Sequence, residues 1–149
     1  MPRHSVPAIG VIFLLVAAIV VVESGAALPS APRVPRIVAQ VTLTGQSGPI
    51  PTTTLLTPTS SGLYRVSGYL VVVDDTETQG GLTGLVNFTD ESGPTAFVFG
   101  SAVAGGRGGS QAIFLAHGIA GQPVTFRVDF NMSGGTVNYD VFITVEQLQ

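Results

Sequence analysis

Apolar and polar residues alternate cleanly along the last third of the chain. Val124, Phe126, Val128 and Phe130 share one parity, and Thr125, Arg127 and Asp129 share the other. Successive side chains of a strand point to opposite faces, so the pattern predicts a half-buried strand over Val124 to Phe130. Val137, Tyr139, Val141, Ile143 and Val145 repeat it, opposed by Asn138, Asp140, Thr144 and Glu146. Between the two runs lies Asn131-Met-Ser-Gly-Gly135, rich in residues that tolerate positive φ. Together the two runs read as an antiparallel hairpin.

Upstream the same period recurs in shorter pieces. Leu63 to Val73 reads as a long strand with Tyr64, Val66, Leu70 and Val72 on one face. Gly68 falls on that face, where a glycine marks a bulge or a close backbone approach. A polar turn over Asp74 to Gly81 leads to a strand over Leu82 to Thr89, with Leu82, Val86 and Phe88 on one side. Asp90 to Pro94 turns again. Thr95 to Ala104 carries the run Ala96-Phe-Val-Phe99, and a flexible loop, Gly105-Gly-Arg-Gly-Gly109, precedes a strand over Gln111 to His117. Val38 to Thr44 and Pro51 to Leu56 are two weaker strands at the front. No stretch after Ile37 has a helical period, because Gly and Pro recur too often.

About eight strands at this spacing predict an all-β antiparallel sandwich, with a jelly-roll favoured over an immunoglobulin-like domain. The chain has no Cys and no Trp, so the Cys–Trp–Cys centre of an immunoglobulin domain is absent. Gly62-Leu-Tyr64 at the head of a long alternating strand resembles the G-x-Y strand of the C1q and tumour-necrosis-factor-like jelly-rolls. Gly121-Gln-Pro-Val124, entering a second alternating strand before a terminal apolar one, is similar to that order of elements. The likeness spans Gly62 to Leu148, and the last strand departs from it in lacking an aromatic–Gly–aliphatic ending. The resemblance implies a trimer packed around a shared apolar axis.

The first 26 residues change the picture of where the chain goes. Arg3 provides a positive start, Ala8 to Val22 is an unbroken apolar core, and Glu23-Ser-Gly-Ala-Ala27 follows with small residues. That layout is a secretory signal peptide. The core is shorter than the ~20 apolar residues of a spanning helix, so membrane contact is expected only through this segment if it stays uncleaved. Residues 27–36, with Pro29, Pro32 and Pro35, read as a proline-rich linker, and 37–149 as the sandwich. The expected location is secreted or cell surface. An exported chain with no Cys must rely on packing, sheet hydrogen bonds or association for stability.

Charge narrows the function further. Six basic residues stand against nine acidic ones, for a net charge of −3. All six are Arg and they are scattered singly, which disfavours nucleic-acid binding. Outside the leader the one histidine is His117, and no G-x-S-x-G elbow presents a serine to it, so no catalytic residue is assigned. Asp74, Asp75 and Glu77 cluster in one turn and Asp90 and Glu91 in the next. A strand of about eight residues, roughly 27 Å long, separates the clusters, too far for an acid–base carboxylate pair. Neither cluster has the D-x-D-x-D-G spacing of a calcium loop. One His and no Cys cannot complete a zinc site. Gly105 to Gly109 lacks the Lys-Ser/Thr of a phosphate loop. No metal or cofactor is expected. Asn87 and Asn131 fit the N-glycosylation triplet.

What remains is a non-catalytic exported sandwich acting as a structural or protein-interaction subunit, expected to self-associate as a trimer or a fibre. Tyr69, Val71 and Val73 share the polar parity of their strand, and an apolar strip on a wet face marks an interface. A fibre would follow if the strand Val38 to Thr44 paired with a neighbouring subunit instead of its own sheet. The alternative is a monomeric carbohydrate- or small-ligand-binding domain. It would stack a glycan on Tyr69 or present Arg107 from the glycine loop.

Overall fold

The strongest alternators become two strands of a sandwich in the computed structural model, which describes residues 34–76, 79–103, 105, 107–133 and 135–148. The expected leader and all but the last residues of the expected linker lie outside these. In chain order the strands are β1 (Arg36–Gln46), β2 (Ile50–Leu56), β3 (Gly62–Asp75), β4 (Gln79–Asp90), β5 (Gly93–Val103), β6 (Gly108–Gly118), β7 (Val124–Ser133) and β8 (Val137–Gln147). One antiparallel sheet has the order β1-β8-β3-β6 and the other β2-β7-β4-β5.

The pairings β1 with β8, β2 with β7, β3 with β6 and β4 with β5 nest inside one another. The chain is one long antiparallel ribbon rolled into two sheets, which is the jelly-roll. Of the connections only β4–β5 stays within a sheet. There Gly93 takes φ 115° and the backbone N–H of Ser92 donates to Asp90 Oδ1 at 2.8 Å. Every other connection crosses the sandwich.

The wiring corrects the expected hairpin. β7 and β8 are not a hairpin: β7 pairs with β2 and β4, β8 with β1 and β3. Both bury one face in the same core, so their alternation is the same whether they lie side by side or in opposite layers. The strand from Val38 to Thr44 pairs with β8 of its own chain along Arg36 to Gln46. The glycine loop is also shorter than expected, because Gly108 and Gly109 belong to β6, opposite Val72 and Val71.

The core is the set of residues whose parity put them inward. Tyr64, Val66, Leu70 and Val72 of β3 face Leu82, Val86 and Phe88 of β4, with Val124, Phe126 and Val128 of β7 and Val137 to Val145 of β8. At its centre sits Phe99, fully buried. β5 carries an extra residue there: Val98 pairs with Leu85 and Gly100 with Gly84, leaving Phe99 unpaired as a bulge whose ring drops between the sheets. Gly68 and Gly84 leave the space it fills; a Cβ on Gly68 would stand 2.5 Å from the Phe99 Cβ, and one on Gly84 would run into the ring.

Candidate functional site

The outer face of the β1-β8-β3-β6 sheet collects the residues singled out in the sequence. Register sets Tyr69 between Phe142 of β8 and Gln111 of β6, with Thr42 of β1 beyond Phe142. The Tyr69 and Phe142 rings stack with centroids 6.1 Å apart and planes 25° from parallel, a geometry of favourable aromatic contact. Gly109 lies under the Tyr69 ring: a Cβ there would stand 2.7 Å from the Tyr69 hydroxyl. A glycine inside a strand thus serves to let an aromatic ring lie flat across its neighbour.

One row along, Val71 is half-buried opposite Gly109 and Asp140, and Val73 is exposed. The structure therefore brings Tyr69, Val71 and Val73 onto one face. Arg107 is separate from that face's centre. It reaches from the β5–β6 loop to Asp74 at 3.6 Å, and both side chains are exposed.

Two aliphatic residues extend the patch and were not singled out in the sequence. Ile113 and Leu115 of β6 are 69% and 58% exposed. Ile113 is opposite Ser67 and Leu115 opposite Arg65. The signal was present in Ile113-Phe-Leu115: three consecutive apolar residues in one strand must place some on each face. Ala112 and Ala116 define the inward parity, so Ile113 and Leu115 face water.

Polar groups on this face are paired within it. Arg65 Nε donates to Glu146 Oε2, and Asp140 Oδ1 accepts the backbone N–H of Gly45 at 2.8 Å. The Arg65 hydrogen bond, assisted by its charge, holds the Glu146 carboxyl below the usual carboxylate range. Glu146 therefore adds stability above the unfolded carboxylate pKa, and that contribution fades as pH falls through the lower native value. Arg65 is exposed and Glu146 only half-buried, so solvent screens the pair and the effect is small. Glu146→Gln should lower the thermal midpoint slightly at neutral pH, and the difference should vanish in acid and in high salt. A difference that persists in acid would refute this assignment.

The remaining polar candidates do not come together. His117 is the penultimate residue of β6, and its Nδ1 is paired with Glu91 of the β4–β5 turn. Asp74 lies near the end of β3 and Asp90 ends β4, so the 12 residues of β4 run between them. Glu77 lies outside the described residues. Asn87 sits in the middle of β4 on the outer face of the other sheet, and Asn131 is exposed on β7. That second outer face carries Thr83, Asn87, Thr125, Arg127 and Asp129 along β4 and β7, with Leu85 and the exposed Val98 among them.

Beside the Tyr69–Phe142 pair is a shallow depression lined by Ser67, Gln111, Ile113 and Thr144. The site is thus an apolar and aromatic sheet face edged by hydroxyl and amide groups. It offers surface for packing or stacking and holds no assembled nucleophile–base pair among the residues described.

No family model and no curated protein matches the chain. Among solved structures, the infectious bursal disease virus Gx strain is 15% identical with a TM-score of 0.44, covering 96% of this chain and 38% of that one. The virus's VP2 subviral particle is 16% identical at TM-score 0.35, covering 78% and 33%. The Clostridium thermocellum xylanase 10B CBM22-1–GH10 modules, complexed with xylohexaose, are 12% identical at TM-score 0.38, covering 73% and 25%. The chain spans well under half the length of each of these, and likenesses at such scores carry no argument about what it does.

Proposed function

We propose that this protein is an exported, non-catalytic structural or protein-interaction subunit that associates with copies of itself. The observation that supports this reading is the outer face of the β1-β8-β3-β6 sheet. It leaves Tyr69, Val73, Phe142, Ile113 and Leu115 in water, where single exposed apolar residues are ordinary but a contiguous patch is not. Four strands about 4.8 Å apart and some eleven residues long make a face of roughly 19 by 36 Å, or about 700 Å². A standard interface buries about 800 Å² per partner, so this face is close to sufficient. The trimer implied by the C1q-like resemblance is one assembly such a face can build.

The test is light scattering coupled to size exclusion on the exported protein over a dilution series. The expected mass is a multiple of the subunit, falling on dilution. Val73→Asp, on an exposed site, should weaken association at least tenfold without changing the melting temperature. A clean monomer at every concentration would overturn the reading.

The second reading, glycan binding, is favoured by the Tyr69–Phe142 pair beside Ser67, Gln111 and Thr144. Sugars present an apolar face for stacking and hydroxyls for hydrogen bonds. A glycan array with Tyr69→Ala as control tests it, and a blank array for the parent protein would sink it.

A further inference from the structure

Each sheet has two edges, and an open edge is a template for pairing with another chain unless something blunts it. Three of the four edge strands are blunted in the same way. β1 carries two extra residues against β8, between Ile37 and Ala39 and between Leu43 and Gln46, and it opens on Arg36. β2 carries two against β7 and contains Pro51. β5 has the Phe99 bulge and Pro94.

The fourth edge, β6, has none of these. It pairs with β3 in unbroken register from Gly108 to Gly118, with no proline, no bulge and no Asp, Glu, Lys or Arg. The sheet order ends at β6; beside it the backbone N–H of Ser101 in β5 donates to Ser110 Oγ at 3.0 Å, and among the described residues no backbone–backbone hydrogen bond reaches its outer edge. The two strands at this side of the sandwich, β5 and β6, also carry exposed apolar residues. Among the described residues, five of the ten exposed large hydrophobic residues lie on these two strands: Phe97, Val98, Val103, Ile113 and Leu115. Phe97 stacks on Phe114 across the seam between the sheets, with centroids 4.6 Å apart, and is still 39% exposed.

We propose that β6 pairs antiparallel with β6 of a second copy of this chain, about a two-fold axis at Ile113, the middle residue of the strand. A two-fold contact sets each residue against its symmetry mate. Ile113 then faces Ile113 of the second copy, Leu115 faces Gln111, and His117 faces Gly109, so no like charges oppose one another. The strand contributes about ten inter-chain backbone hydrogen bonds. Its length of about 37 Å, with two sheets about 10 Å apart and side chains on both outer faces, gives a wall of about 700 Å² per subunit. That is near the area a stable pair needs, and it covers the Phe97–Phe114 seam. This contact runs along the edge of the sheet and shares Ile113 and Leu115 with the outer-face patch, whose Tyr69, Phe142 and Val73 it leaves uncovered. A subunit with both has two self-complementary surfaces, the requirement for growth beyond a dimer.

The chain has no cysteine, so one introduced thiol reports one contact. Across the proposed axis the two residue-113 Cα atoms come within disulfide range. In the full exported protein, Ile113→Cys should form a covalent dimer under mild oxidation, while Thr53→Cys, exposed on the far sheet, should not. Ile113→Lys puts two ammonium groups face to face and should weaken dimerisation at least tenfold. Ile113 is mostly exposed, so an unchanged circular dichroism spectrum and melting temperature should accompany that loss. An Ile113→Cys yield no higher than that of Thr53→Cys would overturn the proposal, as would an Ile113→Lys mass equal to the parent's. If the Ile113 variants leave the mass unchanged and Val73→Asp lowers it, the edge contact falls and the outer-face reading stands. If Ile113→Lys lowers the mass and Val73→Asp does not, the reverse holds.

Discussion

Phe99→Ala should cost about 3–5 kcal/mol and bring the domain close to unfolding. Truncating a buried phenylalanine loses its transfer energy and leaves a cavity the frame cannot close. Domains of this size have only about 5–15 kcal/mol in all. Phe99 is fully buried, and it enters the core from a bulge, so no neighbouring inward side chain of β5 can slide into its place. The glycines beneath it make the converse prediction. Gly84→Ala drives a methyl group into the ring and should cost about 1–3 kcal/mol. In the double variant the methyl occupies space the ring has vacated. The two costs should therefore fall short of their sum by at least about 1 kcal/mol in urea unfolding. Strict additivity would show that Phe99 and Gly84 do not share that space.

Alkali should destabilise the fold through one residue. Tyr139 has no exposed surface, its hydroxyl donates to the carbonyl of Gly48, and burial pushes its phenol up to about 12. An unfolded tyrosine ionises near 10. The native state therefore holds a proton the unfolded chain releases, and the stability this provides is complete below about pH 10. It is lost as pH rises toward 12, by about 2–3 kcal/mol at the limit. Urea midpoints measured at about pH 8 and about pH 11.5 should differ accordingly. Tyr139→Phe should cost about 1 kcal/mol at neutral pH through the lost hydrogen bond. It should also flatten the alkaline fall, and an equally steep fall in that variant would remove Tyr139 as the cause.

Much of the candidate site was legible residue by residue. Parity placed Tyr64 and Tyr139 in the core and Tyr69, Val71 and Val73 outside it, because the side-chain period of a strand holds in any sheet. The close approach expected at Gly68 is the one Phe99 makes. Ile113 and Leu115 were missed, although the same parity rule applied to β6 would have exposed them.

Alternation and local turn chemistry are enough to specify the strands, their inward faces and an all-β sandwich of eight strands. Which strand lies beside which was decided by tertiary structure. β7 and β8 alternate alike and meet through a glycine-containing turn, yet they belong to opposite sheets. Alternation records only that a face is buried, and the neighbour that buries it lies across the core from it. The stacking of Tyr69 on Phe142 and the contrast between an unblunted β6 and three bulged edges have the same origin. Each depends on register between segments far apart in the chain, which a one-dimensional pattern does not encode.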